Sequence, residues 1–234
     1  MALLSIDTNA KTVKGQKNGF MTGILYMAPF TLSGVNLCPM AEKAQCHKAC
    51  LNTAGRGVFN SVKESRLRKA KYFNDNRQAF MIDLARDIRA LIRKSDRDGY
   101  TPVVRLNGTT DIRYENIKFN LDGKMVTIFE AFSDIQFYDY TKISNRKNIP
   151  ANYDLTYSYS GVAGYQKYVK IAIDAGMRIA AVFRRRDDIP KTFLGLKVID
   201  GDDSDLRHLE KHGVIVALYA KGQAKKDFSG FVVG

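Results

Sequence analysis

Short runs of β-branched and aromatic residues alternate along this chain with segments of helical length, and that alternation constrains the fold more than any other feature. The runs fall at residues 3–6, 23–28 (GILYMA), 102–106 (PVVRL), 135–140 (IQFYDY), 153–157, 178–183 (RIAAVF), 197–200 (KVID) and 214–219 (VIVALY). Between them, Asn60 can cap a helix over SVKESRLRKAKYF, and Asn74 or Asp75 a second over RQAFMIDLARDIRALIRK. In the second, Phe80, Leu84, Ile88, Leu91 and Ile92 recur at helical spacing, which marks one face as core. Residues 125–132 read as a short helical stretch, and 162–175 as a helix stopped by Gly176. Seven or eight strands separated by helices predict one α/β domain over 1–234, a closed or partly open (β/α) barrel with a long loop at 31–57. A doubly wound sheet fits less well, because no glycine-rich dinucleotide fingerprint follows the first long strand.

The chain has 234 residues, 45% of them hydrophobic and 11% aromatic, enough for a folded core and unlike a disordered segment. It carries 37 Lys and Arg against 24 Asp and Glu, a net charge of +13. Such a balance favours a polyanionic partner, nucleic acid before others and DNA before RNA. A basic protein that merely stays soluble is the plain alternative. No apolar run reaches the ~18 residues of a membrane span, and the first residues (MALLSIDTNAKTVKG) lack the cleavage site of a secretory signal, so a cytoplasmic location is expected, the host's if the chain is phage-encoded. Oligomeric state is not legible.

The three cysteines, Cys38, Cys46 and Cys50, fall within thirteen residues as C-x7-C-x3-C. An odd number packed this tightly makes a poor disulfide framework and suits a metal site in a reducing compartment. Three thiolates can hold a 4Fe-4S cluster with one iron open, or a zinc ion with a histidine as fourth ligand. The alternative is three small buried residues.

In a barrel the active site forms at the carboxyl ends of the strands. Polar residues stand there: Asn107 and Asp111 after PVVRL, Asp139 and Lys142 at IQFYDY, Ser158 after 153–157, Arg184, Arg185 and Arg186 after RIAAVF, Asp200 after KVI and Lys221 after VIVALY. Asp111, Asp139 and Lys142 are the expected catalytic groups, with Asn107, Ser158, Asp200 and Lys221 lining a substrate pocket. On the helix after the cysteine loop, Lys63, Arg66 and Lys69 recur three apart and are expected to share one phosphate-binding face. Against this stands a solvated helix face and ordinary polar loops.

The blocks CPMAEKAQCHKACLNTAGRG, VVRLNGTTD, QFYDYTK, NYDLTYSYSG, VIDGDDSDLRH and VIVALYAKG together resemble a family of bacteriophage proteins over nearly the whole chain. The placement of Cys38, Cys46 and Cys50 after the first long strand is similar to that in radical S-adenosylmethionine barrels, whose usual spacing is the tighter C-x3-C-x2-C. That resemblance implies an iron–sulfur cluster and S-adenosylmethionine in a nucleic-acid base-modifying enzyme. The chain also resembles phage DNA-guanine transglycosylases, which implies base exchange with Asp111 and Asp139 as nucleophile and acid/base. A binding protein for nucleic acid or a host factor, with no catalysis, is the expectation from charge alone.

Overall fold

In the computed structural model, residues 1–6 and 10–234 are described, with side chains given outside 7–12. The chain divides into two compact units. Unit 1 comprises Met1–Leu37, Glu64–Asp139 and Asn148–Asp154; unit 2 comprises Cys38–Lys63, Tyr140–Lys147 and Leu155–Gly234.

In unit 1, β1 (Leu4–Ser5) pairs antiparallel with β2 (Phe20–Leu25) after the short helix α1 (Ala10–Gln16). Two long helices follow, α2 (Asn60–Asp75) and α3 (Arg77–Asp98). The expected periodicity of α3 is borne out: Phe80, Met81, Leu84, Ala85, Ile88 and Leu91 are buried, and burying such a face stabilises the fold by about 1.5–3 kcal/mol per large side chain. The Asn76 side chain, one residue beyond the expected cap, accepts the Ala79 amide at 3.1 Å, and Gly99 ends the helix in the left-handed region at φ 73°. Next, β3 (Thr101–Arg105) runs parallel to β2. A small hairpin of β4 (Phe119–Leu121) and β5 (Lys124–Val126) follows, and of the stretch expected to be helical at 125–132 only the one turn α4 (Ile128–Ala131) is helix.

The strands β6 (Gln136–Thr141) and β7 (Tyr153–Ser158) follow. In unit 2, α5 (Gln166–Asp174) leads to β8 (Arg178–Phe183), then β9 (Thr192–Phe193), β10 (Leu196–Asp200) and β11 (Ile215–Tyr219). Its core joins Tyr157, Tyr159, Tyr165, Val169, Ile179, Phe183 and Ile215, with Ala44 and Cys46 from the cysteine loop packed among them.

The main sheet has nine strands in the order β1-β2-β3-β6-β7-β8-β11-β10-β9. The expected (β/α) barrel is therefore wrong, and the sheet is open. Closure requires the first and last strands to pair in a consistent stagger. Here both ends of the order are two-residue strands that pair antiparallel with their single neighbours, β1 with β2 and β9 with β10. Short, antiparallel edge strands terminate a sheet. The β3-to-β6 connection also carries a hairpin and a single turn in place of a full crossover helix. Among the described residues no helix is long and apolar enough to cross a membrane.

Candidate functional site

Unit 1 concentrates its polar residues where β3 ends. Asp139, on β6, is fully buried, yet its carboxylate accepts the amides of Leu106 at 3.1 Å and Asn107 at 3.0 Å and the hydroxyl of Tyr153 at 3.1 Å. Arg105, equally enclosed, brings its Nε to 3.8 Å from the same group. Burial pushes the Asp139 carboxyl up to about 6, with Arg105 and the amide donors pulling the other way. With its oxygens facing four donors and no surface exposed, Asp139 is a positioning residue: it fixes the start of the loop at 106–112.

Asn107 organises the rest of that loop. Its Oδ1 accepts from Thr110 Oγ1 and the Ile112 amide, while Nδ2 donates to Ile112 O and to Tyr153 Oη. Gly108 lies so close to β2 that a Cβ there would stand 2.7 Å from Tyr26 and 2.8 Å from Leu25 O, so no other residue fits. The amide of Asp111, a buried residue, donates to Leu37 O at 2.9 Å. Asn107, Asp111 and Asp139 thus belong to one rigid structure in unit 1, two of them as its braces.

In unit 2 the structure brings Lys142 and Ser158 together. Lys142 Nζ donates to Ser158 Oγ at 3.0 Å, to Ser158 O at 3.2 Å and to Tyr159 O at 3.3 Å, and lies over the rings of Phe231 and Tyr165. Carbonyl oxygens and aromatic faces are both suited to an ammonium group, and through these contacts the Lys142 side chain ties the ends of β6 and β7. The expected pocket residues Asp200 and Lys221 serve a neighbouring turn. Asp200 accepts the Asp202 amide at 2.7 Å, and Asp202 accepts from Lys221 Nζ at 2.7 Å and from the Tyr219 amide at 3.0 Å. Arg207, fully buried, bonds Gly201 O and the Glu210 carboxylate and locks that turn from inside.

All three cysteines are half-buried thiols. Cys46 Sγ donates to Ala41 O at 3.8 Å, and Cys50 Sγ accepts the Asn52 amide at 3.4 Å, capping a turn of 3-10 helix at Leu51–Thr53. Ser160 pins the loop by donating to Ala44 O at 2.8 Å. Among the described residues no group of three or more His, Cys, Asp or Glu is placed to hold a metal ion. As folded, the loop does not gather its thiols as an iron–sulfur cluster or a zinc ion would need; Cys46 packs against the core of unit 2 and Cys50 caps the turn.

The basic helix face divides. Lys63 is exposed, Arg66 is half-buried with its guanidinium 5.1 Å from the Tyr26 ring centre, and Lys69 is 7% exposed with Nζ donating to Leu3 O at 2.7 Å. Burial holds the Lys69 ammonium below the usual lysine range despite the nearby Asp87. Of the three residues expected to share a phosphate face, Lys63 is exposed, Arg66 half-buried and Lys69 turned in to Leu3 O, because the i, i+3, i+6 stripe drifts round the helix.

Sequence reasoning passed over Arg105 and Phe228, and it did not assign Tyr153 or Arg207 the partner roles that make the braces work. A buried arginine leaves no sequence mark that distinguishes it from a surface one. Phe228 sits in a polar stretch, AKKDFSG, and an isolated aromatic between charges was the available signal.

Neither a curated protein nor a solved structure matches the chain at a significant level. The model of one protein family, described as Gene product 88, matches residues 2–233. Nearly the whole chain, both compact units and every braced loop described above fall inside that match, so the protein belongs to the Gene product 88 family.

Proposed function

We propose that the protein binds nucleic acid through unit 2. The observation that carries this reading is the distribution of charge. Unit 2 holds 20 Lys and Arg against 10 Asp and Glu, a net +10 of the chain's +13, whereas unit 1 holds 17 against 14. Locally, β8 and β11 are parallel neighbours whose last residues, Phe183 and Tyr219, lie side by side. Arg184, Arg185 and Arg186 follow the first, and Lys221, Lys225 and Lys226 the second. Arg185, Arg186, Lys225 and Lys226 are exposed. The Arg185–Asp188 pair, at 3.6 Å with side chains 75% and 42% exposed, is the weak kind that a phosphate can replace. Cations at level strand ends suit a polymer of regularly spaced negative charge.

The test is fluorescence anisotropy of a labelled oligonucleotide with the wild type and the fourfold variant R185A/R186A/K225A/K226A. The wild type should bind, and the variant should lose about ten- to a hundredfold in affinity at low salt while staying folded. No binding by the wild type, or equal binding by the folded variant, would overturn the reading.

A second reading adds chemistry, favoured by the bracing of the 106–112 loop around Asp111. In this version the protein modifies bases of the polymer it binds, as a phage base-modifying enzyme would. Nucleosides from cells expressing the wild type should then contain a mass-shifted species that Asp111→Asn abolishes. An unchanged nucleoside profile would leave binding as the whole function.

A further inference from the structure

Phe228 is 86% exposed, more than any other large hydrophobic side chain among the described residues. Its neighbours are densely hydrogen-bonded all the same. The Arg184 guanidinium stacks on its ring, 4.4 Å from the centre, and donates through Nε to Gly234 O at 2.7 Å, through one terminal nitrogen to Lys225 O at 3.2 Å and through the other to Asp227 O at 2.7 Å. Three main-chain oxygens thus fix the guanidinium, and the exposed ring lies against it. Asp227, buried beside Phe228, accepts from Ser229 Oγ at 2.8 Å and from the Val232 amide at 3.2 Å. The segment beyond docks on β8, where the Val233 amide donates to Val182 O and the Arg184 amide to Val233 O. Lys225 Nζ lies 5.2 Å from the Tyr219 ring centre, so cation and aromatic alternate along this edge.

A single exposed aromatic is ordinary in itself; what sets Phe228 apart is that it lies against a guanidinium held by three main-chain oxygens, with exposed lysines two and three residues before it. The flanking charges restrict what such a ring can bind. From the exposed Phe228, with cations on the two residues before Asp227 and on the strand end beneath, we infer that this edge is a stacking platform for the bases of single-stranded nucleic acid. This deepens the reading above and rests on it. Duplex bases are stacked on each other and offer the ring no face, whereas a single strand offers one at every nucleotide. Arg184 adds to the stack as the cation behind the ring.

The chain has no tryptophan, so Phe228→Trp places the sole tryptophan on the platform. Titrating this variant with oligothymidylate should quench its emission saturably, at the concentration where anisotropy of the labelled strand saturates. Phe228→Ala should weaken single-strand binding about tenfold, with the salt dependence unchanged and duplex binding unaffected, and Phe228→Trp should bind as the wild type does. Equal affinity of the wild type for single strand and duplex, unquenched tryptophan at saturation, or a folded Phe228→Ala variant that binds normally would each overturn the platform and leave charge-driven binding standing. Failure of the wild type to bind either form would overturn the underlying reading as well.

Discussion

Complete burial of Asp139 removes its carboxylate from water, and three hydrogen bonds with one arginine stand in for the lost solvent. The compensation is incomplete, since the carboxyl rises from 3.8 to about 6. In the unfolded chain it ionises near the lower value, so between the two the native state keeps a proton that the unfolded state has released. Stability therefore declines as pH rises through that window, by about 3 kcal/mol at roughly 1.4 kcal/mol per unit. Urea unfolding across pH 4 to 7 should show this decline, and Asp139→Asn, which cannot titrate, should lack it. Tyr153→Phe deletes a donor to the charged form, so the decline should extend to higher pH, with a cost of about 1–3 kcal/mol at pH 7 and less at pH 4. Matching pH profiles for the three proteins would contradict this role. For the cysteines, thiols bonded to Ala41 O and Asn52 N imply that a chelator leaves the melting temperature unchanged. A fall of several degrees on chelation would place a metal in the loop.

Secondary structure was largely legible because it is written in local periodicity: the apolar stripe of α3 and the short β-rich runs that became β3, β6, β8 and β11. Strand order was not, since eight short strands can close or stay open with the same local pattern, and the deciding feature is how two-residue strands pair at the edges. Helix α2 shows a further limit. The three-residue spacing of Lys63, Arg66 and Lys69 drifts round the helix, and a lysine stem packs well against apolar neighbours, so the spacing does not say which of the three meets solvent. Lys69→Ala should therefore destabilise the protein by about 1–3 kcal/mol, since Leu3 O loses its buried donor. Lys63→Ala and Arg68→Ala, at exposed positions, should stay within about 0.5 kcal/mol of the wild type in the same urea titrations. Equal effects at all three positions would contradict the assignment of faces. The polar strand ends were likewise found by sequence, but their roles as braces depend on partners distant in the chain, such as Tyr153 for Asn107 and Ser158 for Lys142.

Across the whole molecule the net charge was legible from composition, whereas its concentration in unit 2 emerges only once the fold assigns residues to units. A charge spread evenly would suit solubility alone; the proposed binding edge rests on the excess held by unit 2 and on the cations that follow the level ends of β8 and β11. The salt dependence of binding tests this most directly, because each phosphate neutralised on a single strand contributes a slope of about −0.7 in log affinity against log salt. R185A/R186A/K225A/K226A should flatten the wild-type slope by about 2–3 units, while R68A/K71A/R89A, which removes three exposed cations of unit 1, should leave it unchanged. A slope unaltered by the first variant, or flattened as much by the second, would contradict the account.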